Sequence, residues 1–257
     1  MSKLLLALVE TSRDPYPERS LDSLQRVLDR NRRLLREAIV FLPENWLSRE
    51  PIDEHVYLDI IDNLYKTFGY TIFVGLSYIN LGGSVRSRGY AVVDGKVEVV
   101  CEKVFPSKAV GERGRIKSGE PGRVVDVHGV KIGCIACVDI FYPELSRRLV
   151  VRGAQILYNP AAIPSDRLEL WWSILRSRAA ENIAYTVGVN SVGVEYPDGR
   201  FTGGGSRVYS PSGIMLEPVV ENGVLLYEID LSELDRVRER WAFRDDLESG
   251  LGKLYIK

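Results

Sequence analysis

At 257 residues with 45% hydrophobic content, the chain has the length for one large domain or two small ones and can bury a sizeable core. Lys and Arg number 34 against 35 Asp and Glu, which excludes the basic footprint of a nucleic-acid binder. The apolar run at 4–9 is too short for a membrane span and lacks a signal-peptide cleavage site; three cysteines, an odd number, argue against a disulfide scaffold and for a reducing cytoplasm.

The run at 4–9 reads as a buried first strand. Pro15 and Pro17 interrupt it, and Ser20 is placed to cap a helix through about 38, with Leu21, Leu24, Leu28, Leu35 and Ala38 along one face. The arginines of that helix alternate with Asp22, Asp29 and Glu37, the pattern of a solvated face. A short strand at 39–42 stops at Pro43. A second helix is expected at 53–68, with Val56, Ile60, Ile61 and Leu64 on its apolar side and Gly69 ending it. After a strand at 72–78, the runs 88–93 and 96–104 flank Asp94-Gly95, a strong hairpin signal. The runs 123–128 and 130–137 repeat the pattern around Gly129. Pro143-Glu144 opens a helix to about 152. A strand at 155–158, a long helix at 166–183 and a strand at 185–192 follow. Strands at 207–210, 215–220 and 224–229 and a helix at 231–241 close the chain. Helices and strands interleave with antiparallel hairpins and no linker divides them, so a single α/β domain over 1–257 with mixed sheets is expected. The glycines at 203–205 lack the strand–Gly–helix context of a phosphate cradle. Little Met and His with abundant charge suits a heat-adapted source.

Three residues stand where chemistry could be carried. Cys137 ends an apolar strand just before a helix start, an elbow that exposes a side chain, offers backbone N–H groups to an oxyanion and favours a thiolate. The alternative is a small buried hydrophobe. Glu44 follows a buried strand and a proline, at the end where open α/β sheets place their sites; partial burial would suit it to proton transfer. It could equally be a loop carboxylate. Lys103 ends the second hairpin strand, either as a solvated edge charge or as a fixed cation that polarises a carbonyl. Cys134 and Cys137 form a C-x-x-C pair, but on a strand side chains three apart face opposite ways, and His55, His128 and Cys101 supply no second ligand pair for zinc. Cys134 is read as a core residue. Neither histidine sits in a site-like neighbourhood, so a cysteine nucleophile here needs a carboxylate base.

Val40-Phe41-Leu42-Pro43-Glu44, Glu102-Lys103-Val104-Phe105-Pro106 and Gly133-Cys134-Ile135-Ala136-Cys137-Val138-Asp139-Ile140-Phe141-Tyr142-Pro143-Glu144 resemble, in order and spacing, the nitrilase superfamily of carbon–nitrogen hydrolases. Val74-Gly75-Leu76-Ser77, Gly153-Ala154-Gln155-Ile156-Leu157, Arg178-Ala179-Ala180-Glu181-Asn182, Asn190 and the stretches 203–210 and 223–230 extend the likeness over nearly the whole chain. The resemblance implies an αββα sandwich of two mixed β-sheets flanked by helices, dimerising into a four-layer stack. It implies Glu44 as base, Lys103 as cation and Cys137 as nucleophile, with the Val138 N–H on the oxyanion and Glu112, in Val110-Gly111-Glu112-Arg113-Gly114, as a second glutamate near the site. No metal or organic cofactor is required. Glu10 stands where the family often has Gln, and Val138 where it often has a bulkier or polar residue, so the pocket is expected to differ.

The expected activity is cleavage of a small amide, ω-amidase-like, through a cysteine thioester. The substrate is a small amide or nitrile with water; neither nucleic acid nor membrane is expected as a partner. The loop 159–164, with Asn159 and Ala161, and the aromatic side chains Tyr142 and Trp171 are candidates for the substrate wall. A nitrilase, an N-carbamoyl amidase or an acyl transferase would share the trio. Readings of other classes are a non-catalytic interaction protein on the same fold and a thioredoxin-like use of Cys134 and Cys137. The helix at 231–241 and the aromatic tail ending at Tyr255 are candidates for a homodimer interface.

Overall fold

The computed structural model of the chain describes residues 3–196, 198–242, 244–246 and 249–250; the tail ending at Tyr255 lies outside these. In chain order the elements are β1 (Lys3–Val9), α1 (Pro17–Arg30), α2 (Arg32–Leu35), β2 (Ala38–Phe41), β3 (Ile52–Asp53), α3 (Glu54–Phe68), β4 (Ile72–Asn80), β5 (Val85–Val93), β6 (Lys96–Glu102), β7 (Val124–Val127), β8 (Val130–Cys134), α4 (Pro143–Val151), β9 (Ile156–Ala161), α5 (Leu168–Asn182), β10 (Tyr185–Asn190), β11 (Val192–Glu195), β12 (Phe201–Gly203), β13 (Arg207–Tyr209), β14 (Val219–Glu221), β15 (Val224–Asp230) and α6 (Ser232–Arg240). Short 3-10 turns cover Cys137–Phe141 and Ser165–Arg167.

Two mixed sheets pack face to face, as expected. The larger runs β14-β15-β1-β2-β4-β5-β6, with β3 against β4; the smaller runs β13-β10-β9-β8-β7. Strand alternation divides their side chains between two cores. On β1, Leu6 and Leu8 join Phe41, Phe73, Ile132, Ile156, Tyr158 and Val187 between the sheets, and α5 adds Trp171 and Leu175 to that core. Ala7 and Val9 face the other way, onto Leu24, Leu28, Tyr57, Ile61 and Leu64 of α1 and α3. β1, β2 and β4 are parallel, as are β8, β9 and β10. β2, β8 and β9 therefore end in loops that carry Glu44, Cys137 and the 162–164 segment, while Lys103 follows β6 in the antiparallel hairpin β5–β6.

The first helix starts earlier than expected and breaks. Pro17 occupies its first turn, Ser20 Oγ accepts from the Asp14 N–H instead of capping, and Asn31 separates α1 from α2, so that Ala38 belongs to β2. On α3 the buried face is Tyr57, Ile61, Leu64 and Phe68, whereas Val56 is exposed. Asp94 and Gly95 both adopt positive φ, as a two-residue hairpin requires.

One expectation is overturned. Cys101 of β6 and Cys134 of β8 form a disulfide, with Cα atoms 5.5 Å apart, that ties the two sheets together. Cys134 is a core residue, but it is not a free one. An odd cysteine count leaves one thiol over and does not exclude a single bridge between strands distant in sequence.

Candidate active site

β8 stops at Cys134, three residues sooner than the apolar run suggests, and the chain turns into a 3-10 turn that begins at Cys137. Cys137 itself has φ +41°, in the left-handed region uncommon for a non-glycine residue. Its carbonyl accepts a 3.0 Å hydrogen bond from Asn159 Nδ2, which also donates to the Ile135 carbonyl at 2.7 Å; Trp171 Nε1 fixes the Asn159 oxygen at 2.8 Å. Arg178 of α5 donates to the carbonyls of Ile140 and Phe141 at the end of the same turn. The elbow is thus locked from β9 and α5.

The carboxylate loop is held as tightly. The Glu44 N–H donates to the Ala161 carbonyl at 3.3 Å and the Asn45 N–H to the Leu76 carbonyl at 2.7 Å. Trp46 Nε1 and Ser77 Oγ both donate to the buried Tyr57 oxygen. Gly75, at φ +70°, lets β4 pass so close that a Cβ there would lie 2.0 Å from the Pro43 carbonyl oxygen.

These loops bring Glu44, Lys103, Glu112 and Cys137 together, all buried. Lys103 Nζ donates to Glu44 Oε1 at 2.7 Å and to Glu112 Oε1 at 2.6 Å. Glu112 is oriented by the Tyr78 hydroxyl at 2.8 Å and the Ser107 N–H at 2.6 Å. Burial alone would lower the Lys103 pKa, but Glu44, Glu112 and Cys137 outweigh it and hold the ammonium well above its ordinary value. Burial and then the Glu44 carboxylate push the Cys137 thiol well up; the Lys103 cation and the Ala162 N–H oppose this without cancelling it. Both causes favour the neutral thiol over the thiolate.

All four residues open onto a cavity of about 640 Å³, within the size range of small-ligand sites. Val138, Ala162, Ile163 and Pro164 form part of its wall. The side-chain oxygen of Asn45, which also lines the cavity, has no partner among the described residues. The expected substrate wall is only partly found. Asn159, Ala161 and Trp171 are fully buried behind the cavity, where the first and last orient the elbow, and Tyr142 packs its ring 4.1 Å from that of Phe105. The side chains of a strand end alternate, so part of the 159–164 loop faces away from the opening. Asn190 fixes the part that faces it: its amide accepts from the Ile163 N–H at 2.6 Å and donates to the Ile163 and Gly204 carbonyls.

Three contributors were not among the candidates read from the sequence. Asp139, two residues after Cys137, is buried and accepts from the Val104 and Phe105 N–H groups at 2.7 and 3.1 Å, joining the Lys103 loop to the elbow. Arg13 and Arg49 reach the cavity wall from loops after β1 and after the Glu44 segment. An Asp beside a nucleophile was a visible signal for the first; nothing in the sequence pointed to the arginines.

The layered α/β fold thus gathers a cysteine, a lysine and two carboxylates on one cavity. The sequence profile described as carbon–nitrogen hydrolase matches residues 32–239, and the chain belongs to that family, hydrolases of carbon–nitrogen bonds. A 2-oxoglutaramate amidase of Bacillus subtilis (strain 168) is 30% identical over 189 residues, covering 72% of each chain. A mouse (Mus musculus) deaminated glutathione amidase is 30% identical over 178 residues, 65% of this chain and 54% of that one. A carbon–nitrogen hydrolase from Helicobacter pylori G27 superposes with a TM-score of 0.86 over 100% of this chain and 99% of that one, at 21% identity. That likeness and others to nitrilase-superfamily structures show the fold, the αββα sandwich.

Proposed function

We propose that the protein is an amidase that releases ammonia from a small amide through a Cys137 thioester, in a single catalytic domain spanning the chain. The observation that carries this reading is the Lys103 ammonium held between Glu44 and Glu112 beside the only free cysteine among the described residues. The two relatives reported above are named for amide hydrolysis, which supports an amidase over a nitrilase or a carbamoyl amidohydrolase.

Glu44 takes the thiol proton as Sγ attacks the amide carbon. Burial pushes the thiol pKa up, which favours proton transfer to Glu44 as the bond to carbon forms. The carbonyl oxygen becomes an oxyanion stabilised by Lys103 and by the Val138 N–H, which lies in the first turn after the elbow, where helical N–H groups lack intrahelical partners. Protonated Glu44 donates to the leaving amine as the tetrahedral intermediate collapses to the thioester. Water, deprotonated by Glu44, then attacks the thioester; the acid leaves and Cys137 recovers its proton. Glu112 positions Lys103 and supplies the second negative charge that keeps it protonated.

Ammonia release from a panel of short amides tests the reading. Cys137→Ala should abolish release while retaining the fold by circular dichroism, and Glu44→Gln should reduce both release and the rate of iodoacetamide alkylation. Full activity in Cys137→Ala would sink the mechanism; an inert Cys137 with no release from any amide or nitrile would favour a non-catalytic interaction protein.

A homodimer is favoured by exposed Leu170, Ile214 and Met215 on and beside α5, and sedimentation of the purified chain checks it. A cytoplasmic, heat-adapted protein is compatible with the Cys101–Cys134 bridge, because intracellular proteins of hyperthermophiles are rich in disulfides.

A further inference from the structure

Where β9 ends, the chain enters the cavity wall as two consecutive peptide groups, Ala161–Ala162 and Ala162–Ile163. The Ala161 carbonyl accepts from the Glu44 N–H at 3.3 Å and from the Ser191 N–H at 3.1 Å. The other end of that peptide, the Ala162 N–H, has no backbone acceptor among the described residues. It lies within hydrogen-bond reach of the Cys137 sulfur, where burial and the Glu44 carboxylate favour the neutral thiol and Lys103 and this N–H work against them. The second peptide is pinned at both ends: the Ile163 N–H donates to Asn190 Oδ1 at 2.6 Å, and the Ala162 carbonyl accepts from the Tyr196 hydroxyl.

A carbonyl that accepts two N–H groups polarises its own peptide, so the N–H at the far end is the stronger donor. The chain of bonds therefore runs from the Glu44 backbone through one peptide to the sulfur that the Glu44 carboxylate deprotonates. That sulfur carries negative charge twice in the reaction: as it loses its proton before the bond to carbon is complete, and as water's attack on the thioester expels it. A donor already fixed in place stabilises both moments without reorganising, and a hydrogen bond to a charged atom is about twice as strong as a neutral one. Tyr196 is buried beside the cluster; burial, then the charges of Cys137 and Glu44, hold its phenol far above the ordinary value, so it stays a hydroxyl donor.

We propose that the Ala162 N–H is a catalytic donor to the Cys137 sulfur, separate from the donors to the oxyanion, and that Tyr196 is the positioning residue that holds it there. The proposal rests on the amidase reading above and adds a stabiliser of the nucleophile and leaving sulfur.

The test measures the pH profile of Cys137 alkylation by iodoacetamide, together with kcat and KM for a short amide, in the wild type, Tyr196→Phe and Ala162→Pro, with folding checked by circular dichroism. Glu44 and Lys103 face the sulfur, and Glu112 and Tyr78 act on it through Lys103. All four are kept in both variants, so a moved profile reports the donor. Tyr196→Phe removes a neutral hydroxyl; the profile should move upward by about half a pH unit and kcat should fall about threefold or more, with KM nearly unchanged. Ala162→Pro removes the N–H itself and should move the profile by about one pH unit and lower kcat about tenfold or more. An unmoved profile in folded Tyr196→Phe overturns the proposal whatever happens to KM, because a wall or packing role alters binding or stability and not the sulfur's proton. A moved profile with kcat intact overturns the catalytic role. If Ala162→Pro does not fold, Tyr196→Phe decides alone. If no amide is turned over, the amidase reading fails, and the alkylation profile by itself decides whether the donor acts on the sulfur.

Discussion

At the scale of single residues, the site is an arrangement of charges that tolerate burial only together. Lys103 is 1% exposed, and its two carboxylate partners are 3% exposed each. Replacing it by alanine would remove an oxyanion donor and leave two buried carboxylates facing each other. The expected loss of activity is at least about a hundredfold. The expected loss of stability is about 3–5 kcal/mol, the scale for one partner removed from a buried ion pair; ammonia release and a urea melt read the two effects separately. Asp139 gives a pH signature. Burial raises its pKa from 3.8 to about 6, although the Val104 and Phe105 N–H groups oppose the rise. The folded state therefore holds this proton more tightly than the unfolded one. Its contribution to stability is fully present below pH 3.8 and is lost as pH rises through about 6. At 1.36 kcal/mol per unit, the change is on the order of 3 kcal/mol. Asp139→Asn, which cannot titrate, should flatten that decline when urea midpoints are compared across the same window.

At the scale of elements, the reactive groups sit on loops whose backbones are pinned by their neighbours. The Glu44 loop shows the dependence most directly, because β4 passes beneath it at Gly75. Gly75→Ala would strain the backbone at φ +70° and drive a Cβ into the Pro43 carbonyl, whose only relief is movement of the segment that carries Glu44. Stability should fall by more than the roughly 1–2 kcal/mol of a left-handed alanine alone, and activity should fall with it, whereas a change confined to strain would leave kcat intact. The strand β8 illustrates the limit of periodicity. The run 130–137 is apolar apart from Lys131 and reads as one strand, yet the ladder with β9 ends at Cys134, where the chain must turn to place Cys137 over the cavity. Helix α1 shows the same limit: its apolar stripe continues past Asn31, but the parallel ladder with β1 claims Ala38 for the sheet.

At the scale of the whole molecule, the two sheets are joined by their shared core and by the Cys101–Cys134 bridge, which lies two residues before Lys103 and three before Cys137. Closing a loop over a sequence separation of 33 constrains the unfolded chain by about 3–4 kcal/mol in the chain-entropy account. The Cys101→Ser/Cys134→Ser variant should lose about that much in a denaturant melt, and reduction with dithiothreitol should reproduce the loss in the wild type but not in the variant. No helix among the described residues is long and apolar enough to cross a membrane.

Most of the element order, the Asp94-Gly95 hairpin, the α3 stop at Gly69 and the placement of Glu44, Lys103 and Cys137 near element ends were legible from sequence, because local turn chemistry and side-chain periodicity set them; the short strands β3, β11 and β12 and the break between α1 and α2 were not. The same signals could not say which side of the 159–164 loop faces the opening, that Asn159 and Trp171 stand behind the elbow, or that Cys101 meets Cys134. Those depend on the register between β8, β9 and β10 and on the approach of β6 to β8 across the inter-sheet core. Nor could they bring Arg13 and Arg49 to one wall: loops after different strands become neighbours only when the parallel ladder β1-β2-β4 aligns their ends. Sequence by itself determined which residues could carry charge or nucleophilicity and what local structure held them. Packing of the two sheets decided which of those groups share a cavity, because distances between segments far apart in the chain are fixed by sheet register and not by any local preference.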